Sequence, residues 1–282
     1  MKFIFSAHQF LWTDCWTDGS LPILESAREL GLDGMEVSLG DDVLFDAAAL
    51  KKGAEDLRME LTVGPGNVWP MECDVSSDDA EQRRLGIAWH RRMIGRCVEI
   101  GAVAYCGAIY GHPGRVLRRR RPPDEFLRVS EKLRELAEFA AQCGVKLVIE
   151  PMSRFRTHVV NTTEQAMNLI GAAEHPNLFI NFDTYHMMTE ERNYAAAIRR
   201  AAPRFFGVHA CENDRGVPGG GLVPWKDVFA ALRETQSVSR VMLETYNTSG
   251  DFGFSRGVFQ NVCPDPAAFV RTGLHFLRSH AA

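Results

Sequence analysis

The sequence has no uninterrupted apolar run of about eighteen residues, so no segment reads as a membrane-spanning helix. It also lacks a basic excess. Thirty-two Lys and Arg stand against thirty-six Asp and Glu, giving a formal net charge of −4. A chain built to grip a phosphate backbone ordinarily has the opposite balance, so no nucleic-acid partner is expected. Seven cysteines are an odd number, and no two form a CxxC pair. That argues against a disulfide framework or a structural zinc site and for reduced thiols in a cytoplasmic protein. The opening MKFIFSAHQFLW is interrupted by His8 and Gln9 and lacks the apolar core and cleavage site of a secretory signal, which gives the same expectation. With 45% apolar and 24% charged residues, the chain is neither low-complexity nor disordered in composition.

What is present is an alternation. Short β-branched or aromatic runs occur at 2–7, 34–39, 60–63, 103–109, 145–150, 178–183, 205–209 and 240–244. Helical patterns follow them near 20–30, 46–57, 78–100, 124–143, 162–173, 190–201, 225–234 and 265–279. Glycine stands just past several of these helices, as at Gly31, Gly101 and Gly144, where a left-handed cap is easiest. The strand runs are continuously apolar, as in a parallel sheet covered on both faces. Eight β-then-α units predict an α/β fold, a single (β/α)8 TIM barrel, with residues 1–282 forming one catalytic domain because no linker interrupts the pattern. An open doubly wound sheet is the alternative, and the absence of GxGxxG after the first strand weighs against it.

The last residues of the strands carry the chemistry. The fifth run ends in Glu150, the sixth in Asp183, the seventh in His209 and the eighth in Glu244. Strand ends of one sense meet on the C-terminal rim of a barrel, where active sites lie. Three carboxylates and an imidazole brought to one point would repel unless a cation joined them. One divalent ion is therefore expected. A mostly oxygen donor set suits Mn2+, Mg2+ or Co2+, with Mn2+ placed first. Glu36 lies near the end of the second run and His8 follows the first.

Several segments carry a family resemblance: IEP and SRF within 149–155, FDTYHM at 182–187, GVHACENDRGVPGGG with VPW across 207–225, MLETY at 242–246, and GLDGMEVSLGD at 31–41. Together they resemble the ketose 3-epimerases, the D-tagatose and D-psicose 3-epimerases of the xylose-isomerase-like TIM-barrel superfamily. The resemblance implies an isomerase that moves a proton at C3 of a ketose, with Glu150, Asp183, His209 and Glu244 as metal ligands and Glu150 and Glu244 as the acid/base pair. It also implies that His186 and Arg215 hold substrate oxygens, that Glu36 lies on the pocket rim, that Trp12 packs against the sugar, and that the chain forms a homodimer or homotetramer. One position departs from the pattern: Arg156 stands where these enzymes usually carry a glutamate that seats the substrate. Turned inward, Arg156 would favour a substrate with an anionic group; turned outward, it is a solvated surface residue.

The same metal and bases could instead end in elimination from a keto sugar, as in the dehydratase and C-glycoside deglycosidase branches of the superfamily. The DNA-cleaving branch is disfavoured by the net charge and by a ligand set that reads as one metal. The arginine run at 118–121 reads as a solvated face or as a rim contact, the glycines at 219–221 as a flexible turn, Cys211 as a small buried wall residue, and 245–263 as a lid or pocket wall.

Overall fold

A computed structural model describes residues 2–235, 239–247 and 250–282. The parallel strands are β1 (Phe3–His8), β2 (Gly34–Leu39), β3 (Glu60–Pro65), β4 (Ala104–Gly107), β5 (Lys146–Ile149), β6 (Leu178–Asp183), β7 (Phe205–Ala210) and β8 (Ser239–Leu243). They pair in sequence order, and β8 closes back onto β1, so the sheet is a barrel without edges. The helices are α1 (Pro22–Glu29), α2 (Ala47–Asp56), α3 (Ala80–Ile100), α4 (Glu125–Gln142), α5 (Thr163–Ala173), α6 (Thr184–Glu190), α7 (Tyr194–Ala201), α8 (Trp225–Glu234), α9 (Phe252–Ser255) and α10 (Pro266–Ala281). The main core fills the layer between strands and helices, with Val37, Val63, Leu147 and Val208 from the sheet beside Leu133, Leu169 and Leu232 from the ring. No helix among the described residues is long and apolar enough to cross a membrane, and all seven cysteines are free thiols.

Side-chain parity decides what reaches the lumen. The Thr62 hydroxyl oxygen of β3 lies across the barrel 3.8 Å from the Met242 sulfur of β8, so both side chains point inward. Two residues beyond an inward residue points inward again, which brings Glu244 into line after Met242. Val148 packs inside with Ala104, Cys106 and Phe206, and Glu150 follows it by the same count. The register aligns Asp183 with His209 and His8 with Glu36. Glu150 and Glu244 themselves lie one residue past the hydrogen-bonded strands.

The elements differ from the sequence reading in three places. β4 is shorter than 103–109 because Gly107 leaves the strand at φ +149, where an added Cβ would meet the Pro65 ring at 2.9 Å. The expected helix at 190–201 is preceded by a separate helix, α6, which Asp183 caps by accepting the Tyr185 N–H at 2.8 Å, while Asn193 caps α7. The segment after β8 contains α9, and residues 248–249 of that loop lie outside the described residues. Gly101 does close α3 in the left-handed conformation, at φ +72.

Candidate active site and metal centre

The four strand-end residues meet. Glu150, Asp183, His209 and Glu244 are all buried, and each offers a ligand atom within 4.8 Å of the others. His209 Nδ1 lies 3.3 Å from Glu150 Oε2 and 3.5 Å from Glu244 Oε2. Its Nε2 faces Glu36 Oε1 at 3.2 Å. Neither ring nitrogen completes a hydrogen bond of good geometry. A buried imidazole hemmed by carboxylates and left without a proper partner has the form of a metal ligand, and the mixed O/N donor set fits a hard or borderline divalent cation.

Glu36 is placed to tune that imidazole. Thr62 Oγ1 donates to Glu36 Oε2 at 3.0 Å, and His8 Nε2 lies 3.7 Å from Oε1. The Phe10 N–H donates to His8 Nδ1, so the His8 proton sits on Nε2, toward Glu36. A carboxylate behind a ligating histidine fixes ring orientation and raises its basicity. Burial works against charge on His209, yet Glu150, Glu36 and Glu244 outweigh it and hold the imidazole pKa well above its ordinary value. Burial likewise acts to raise Glu36, but His209 and His8 prevail and hold it below the usual carboxylate range. For Glu150 burial prevails over His209, and its carboxyl is raised to about 7.

Arg215 spans the other side of the cluster. Its Nη1 donates to Glu244 Oε2 at 2.7 Å, and its Nη2 lies 2.8 Å from Asp183 Oδ2. Tyr185 and Tyr246 flank the guanidinium, with ring centroids 4.4 and 5.7 Å away. The backbone adopts φ +68, uncommon for a residue with a side chain, and the Arg215 N–H donates to the Glu212 carbonyl at 3.0 Å. His186 sits one turn into α6, and its Nε2 is 3.5 Å from Asp183 Oδ2. Burial, reinforced by Arg215, holds its pKa well below the ordinary value, so it is neutral at pH 7.

A cleft opens above these groups in two lobes that share Glu150, Met152, Arg156, Glu244, Tyr246 and Arg256. One lobe, about 150 Å³, runs over Glu36 and His209 toward Trp69; the other, about 370 Å³, runs over His186 and Arg215.

The model of the family described as xylose isomerase-like TIM barrel matches residues 24–280. The chain belongs to this family. Among its relatives in the xylose isomerase-like family, a probable ketose 3-epimerase of Synechocystis sp. is 29% identical over 284 residues, covering 98% of this chain and 96% of the relative. The D-psicose 3-epimerase of Agrobacterium fabrum is 29% identical over 259 residues, covering 89% and 88%. A solved L-ribulose 3-epimerase superposes with a TM-score of 0.92 at 26% identity, covering 100% of this chain and 95% of that one.

Of the residues expected from sequence, Glu150, Asp183, His209, Glu244, Glu36, His186 and Arg215 come together as described, and Arg156 turns inward to line both lobes. Trp12 does not line the cleft. It ends the short 3-10 turn Gln9–Leu11 and packs half-buried against the core. The aromatic wall is instead Phe10, stacked on His8 at 4.1 Å and close to Phe252 at 4.4 Å. In the arginine run, Arg119 pairs with Asp78, and Arg121 donates to the carbonyls of His158 and Val159. These contacts fasten the loop to neighbouring segments. Cys211 is buried 3.7 Å from Asp183 Oδ1, and burial pushes its thiol upward, which keeps it a neutral wall residue.

One functional position escaped the sequence reading, and a second was covered only by the reading of 245–263 as a lid or pocket wall. The buried Glu212 carboxylate accepts from the Gly219 N–H at 2.6 Å, the Val223 N–H at 3.1 Å and Trp225 Nε1 at 2.7 Å. The loop at 219–221 is therefore tied down at Gly219. The other position is Arg256, which reaches the cleft from the end of α9. The sequence offered only adjacency for Glu212, inside ACEND, and no periodicity for Arg256.

Proposed function

We propose that this protein is a divalent-metal-dependent epimerase that inverts C3 of a ketose. The observation that carries this reading is the placement of Glu150 and Glu244 on either side of His209, joined by Asp183, at the mouth of the barrel. The names of the relatives support a sugar substrate and favour return of the proton over elimination.

Glu150 and Glu244 enter from β5 and β8, on opposite flanks of β6 and β7. One carboxylate removes the C3 proton, which is acidic because C3 adjoins the ketone, and the other delivers a proton to the opposite face. Burial raises the Glu150 carboxyl to about 7 before an ion enters, and a bound ion would favour the ionised form that can act as a base near neutral pH. Asp183, His209, Glu150 and Glu244 would hold the ion, which when bound supplies a Lewis acid for the negative charge that builds on the substrate oxygens. Arg215 positions Glu244 and adds a permanent positive charge to the larger lobe. Neutral His186 lines that lobe beside Arg215, where its ring would contact a bound sugar. Phe10 and Phe252, with ring centroids 4.4 Å apart, give the smaller lobe an apolar wall.

Mn2+ is the ion we favour, with Mg2+ and Co2+ as alternatives. We further propose that the whole chain acts as one catalytic domain, in the cytoplasm, as a homodimer or homotetramer. Incubation of the Mn2+-loaded protein with a ketose in D2O tests the reaction. Deuterium at C3 of both the recovered ketose and its C3 epimer supports it, and a product lacking an expelled group instead would assign elimination.

A further inference from the structure

The cleft holds two guanidinium groups that the epimerase chemistry leaves unused. Arg156 and Arg256 both line the two lobes at their junction, beside Met152 and Tyr246. Neither has an ion-pair partner among the described residues, and no acidic residue lies outside them. Other arginines around the cleft are matched: Arg154 with Glu190, Arg115 with Asp74, Arg121 with Glu125, and Arg215 with Asp183 and Glu244. Both unmatched side chains are only partly exposed. Half-buried like charges facing one cavity without a counter-ion are unfavourable, and a fold keeps such a pair where something else supplies the negative charge.

Both are held in place by other means. The Arg156 N–H donates to the Ser153 carbonyl at 2.8 Å, and its own carbonyl accepts from the Gly114 N–H at 2.7 Å, which ties the loop after β5 to the loop after β4. Arg256 lies over the Phe252 ring, 4.5 Å from its centroid, and its N–H donates to the Gly253 carbonyl at 3.0 Å. Burial pushes the Arg256 guanidinium down from its ordinary value, and Arg156 adds to the push, so the two charges sense one another across the cleft.

We infer that the substrate is an anionic keto sugar, whose terminal phosphate or carboxylate is clamped between Arg156 and Arg256 while its ketone end lies over Glu150 and Glu244. A guanidinium pair presents planar forks of donors that match either oxyanion. The inference deepens the proposed C3 chemistry and rests on it only for the position of the ketone.

Titration calorimetry on the Mn2+-loaded protein tests it, with D-fructose, D-fructose 6-phosphate and D-fructuronate as probes. Binding of at least one anionic ketose is expected to be about 30-fold or more tighter than that of D-fructose, the scale of charge-assisted hydrogen bonds to a buried anion. Whichever anion gains identifies the group. Arg156→Gln and Arg256→Gln are each expected to cut that advantage by about tenfold, with melting temperatures reporting that the variants are folded. Equal affinities for the neutral and both anionic ketoses would overturn the inference, as would an advantage that survives both substitutions. Deuterium exchange at C3, run in parallel, separates the two claims. Exchange of D-fructose with no anionic advantage refutes the clamp alone, whereas an anionic advantage without exchange on any probe refutes the C3 chemistry and leaves the clamp standing.

Discussion

Glu212 makes no contact with the proposed metal ligands, yet it ought to be one of the most sensitive positions outside them. Its carboxylate accepts three hydrogen bonds, two at Oε1 from Gly219 and Trp225 and one at Oε2 from Val223. Every partner is a donor. An isosteric amide therefore cannot satisfy them: if the glutamine oxygen serves Gly219 and Trp225, its NH2 faces the Val223 N–H. Glu212→Gln leaves at least one buried donor unmet, at a cost of about 1–3 kcal/mol. For a chain of this length each kcal/mol moves the melting temperature by about 2 °C, so a fall of about 2–6 °C is expected. Glu212→Ala, which strands all three donors, must fall further. The same substitutions loosen the turn that holds Arg215 at φ +68, because the Arg215 N–H donates to the Glu212 carbonyl. Turnover should drop by about tenfold or more while Mn2+ affinity changes less, since geometry at the reacting centre is lost before the ligands are. Scanning calorimetry and steady-state rates on both variants read this out. Melting within about 1 °C of the parent for both would refute the reasoning, because a buried carboxylate with three donors cannot be thermally neutral.

Glu150→Gln and Glu244→Gln should each lower turnover by at least about a thousandfold, because each removes a proton carrier that the other cannot replace; circular dichroism should show the fold retained, and a variant with near-parental rate contradicts the assignment. Glu36→Gln weakens the carboxylate contact behind His209, and Mn2+ affinity measured by calorimetry should fall about 10–100-fold. Metal binding should release protons, because Glu150 is raised to about 7 and His209 well above its ordinary value before the ion enters. Both groups are protonated to a greater extent as pH falls, so apparent Mn2+ affinity should weaken from pH 8 to pH 6; titrations in buffers of different ionisation enthalpy count the protons, and an affinity independent of pH refutes this.

The barrel was legible because each strand is a short apolar run, and the last four end in a polar residue, so that parity carries Glu150, Asp183, His209 and Glu244 to one rim. The missed helix α6 lies where the pattern offers only TYHMMTE after Asp183, and its start depends on Asp183 turning back to cap it, a contact that spacing does not reveal. Trp12 was misplaced because the resemblance assigned it by its position in the chain, whereas the 3-10 turn at Gln9–Leu11 gives the wall to Phe10. Arg256 lay in the segment read as a lid or pocket wall but had no role assigned, since a short helix in an aperiodic segment decides where its side chain goes. The inward turn of Arg156, by contrast, settles a choice that sequence left open.

The central claim is that an ion gathered by β5 to β8 makes proton exchange at C3 possible. Chelator-treated protein, assayed for C3 deuterium incorporation into ketose before and after addition of Mn2+, tests it most directly. The account predicts no exchange without the ion, full recovery at one Mn2+ per chain, and no recovery in Glu244→Gln. Undiminished exchange by the metal-free protein would contradict it.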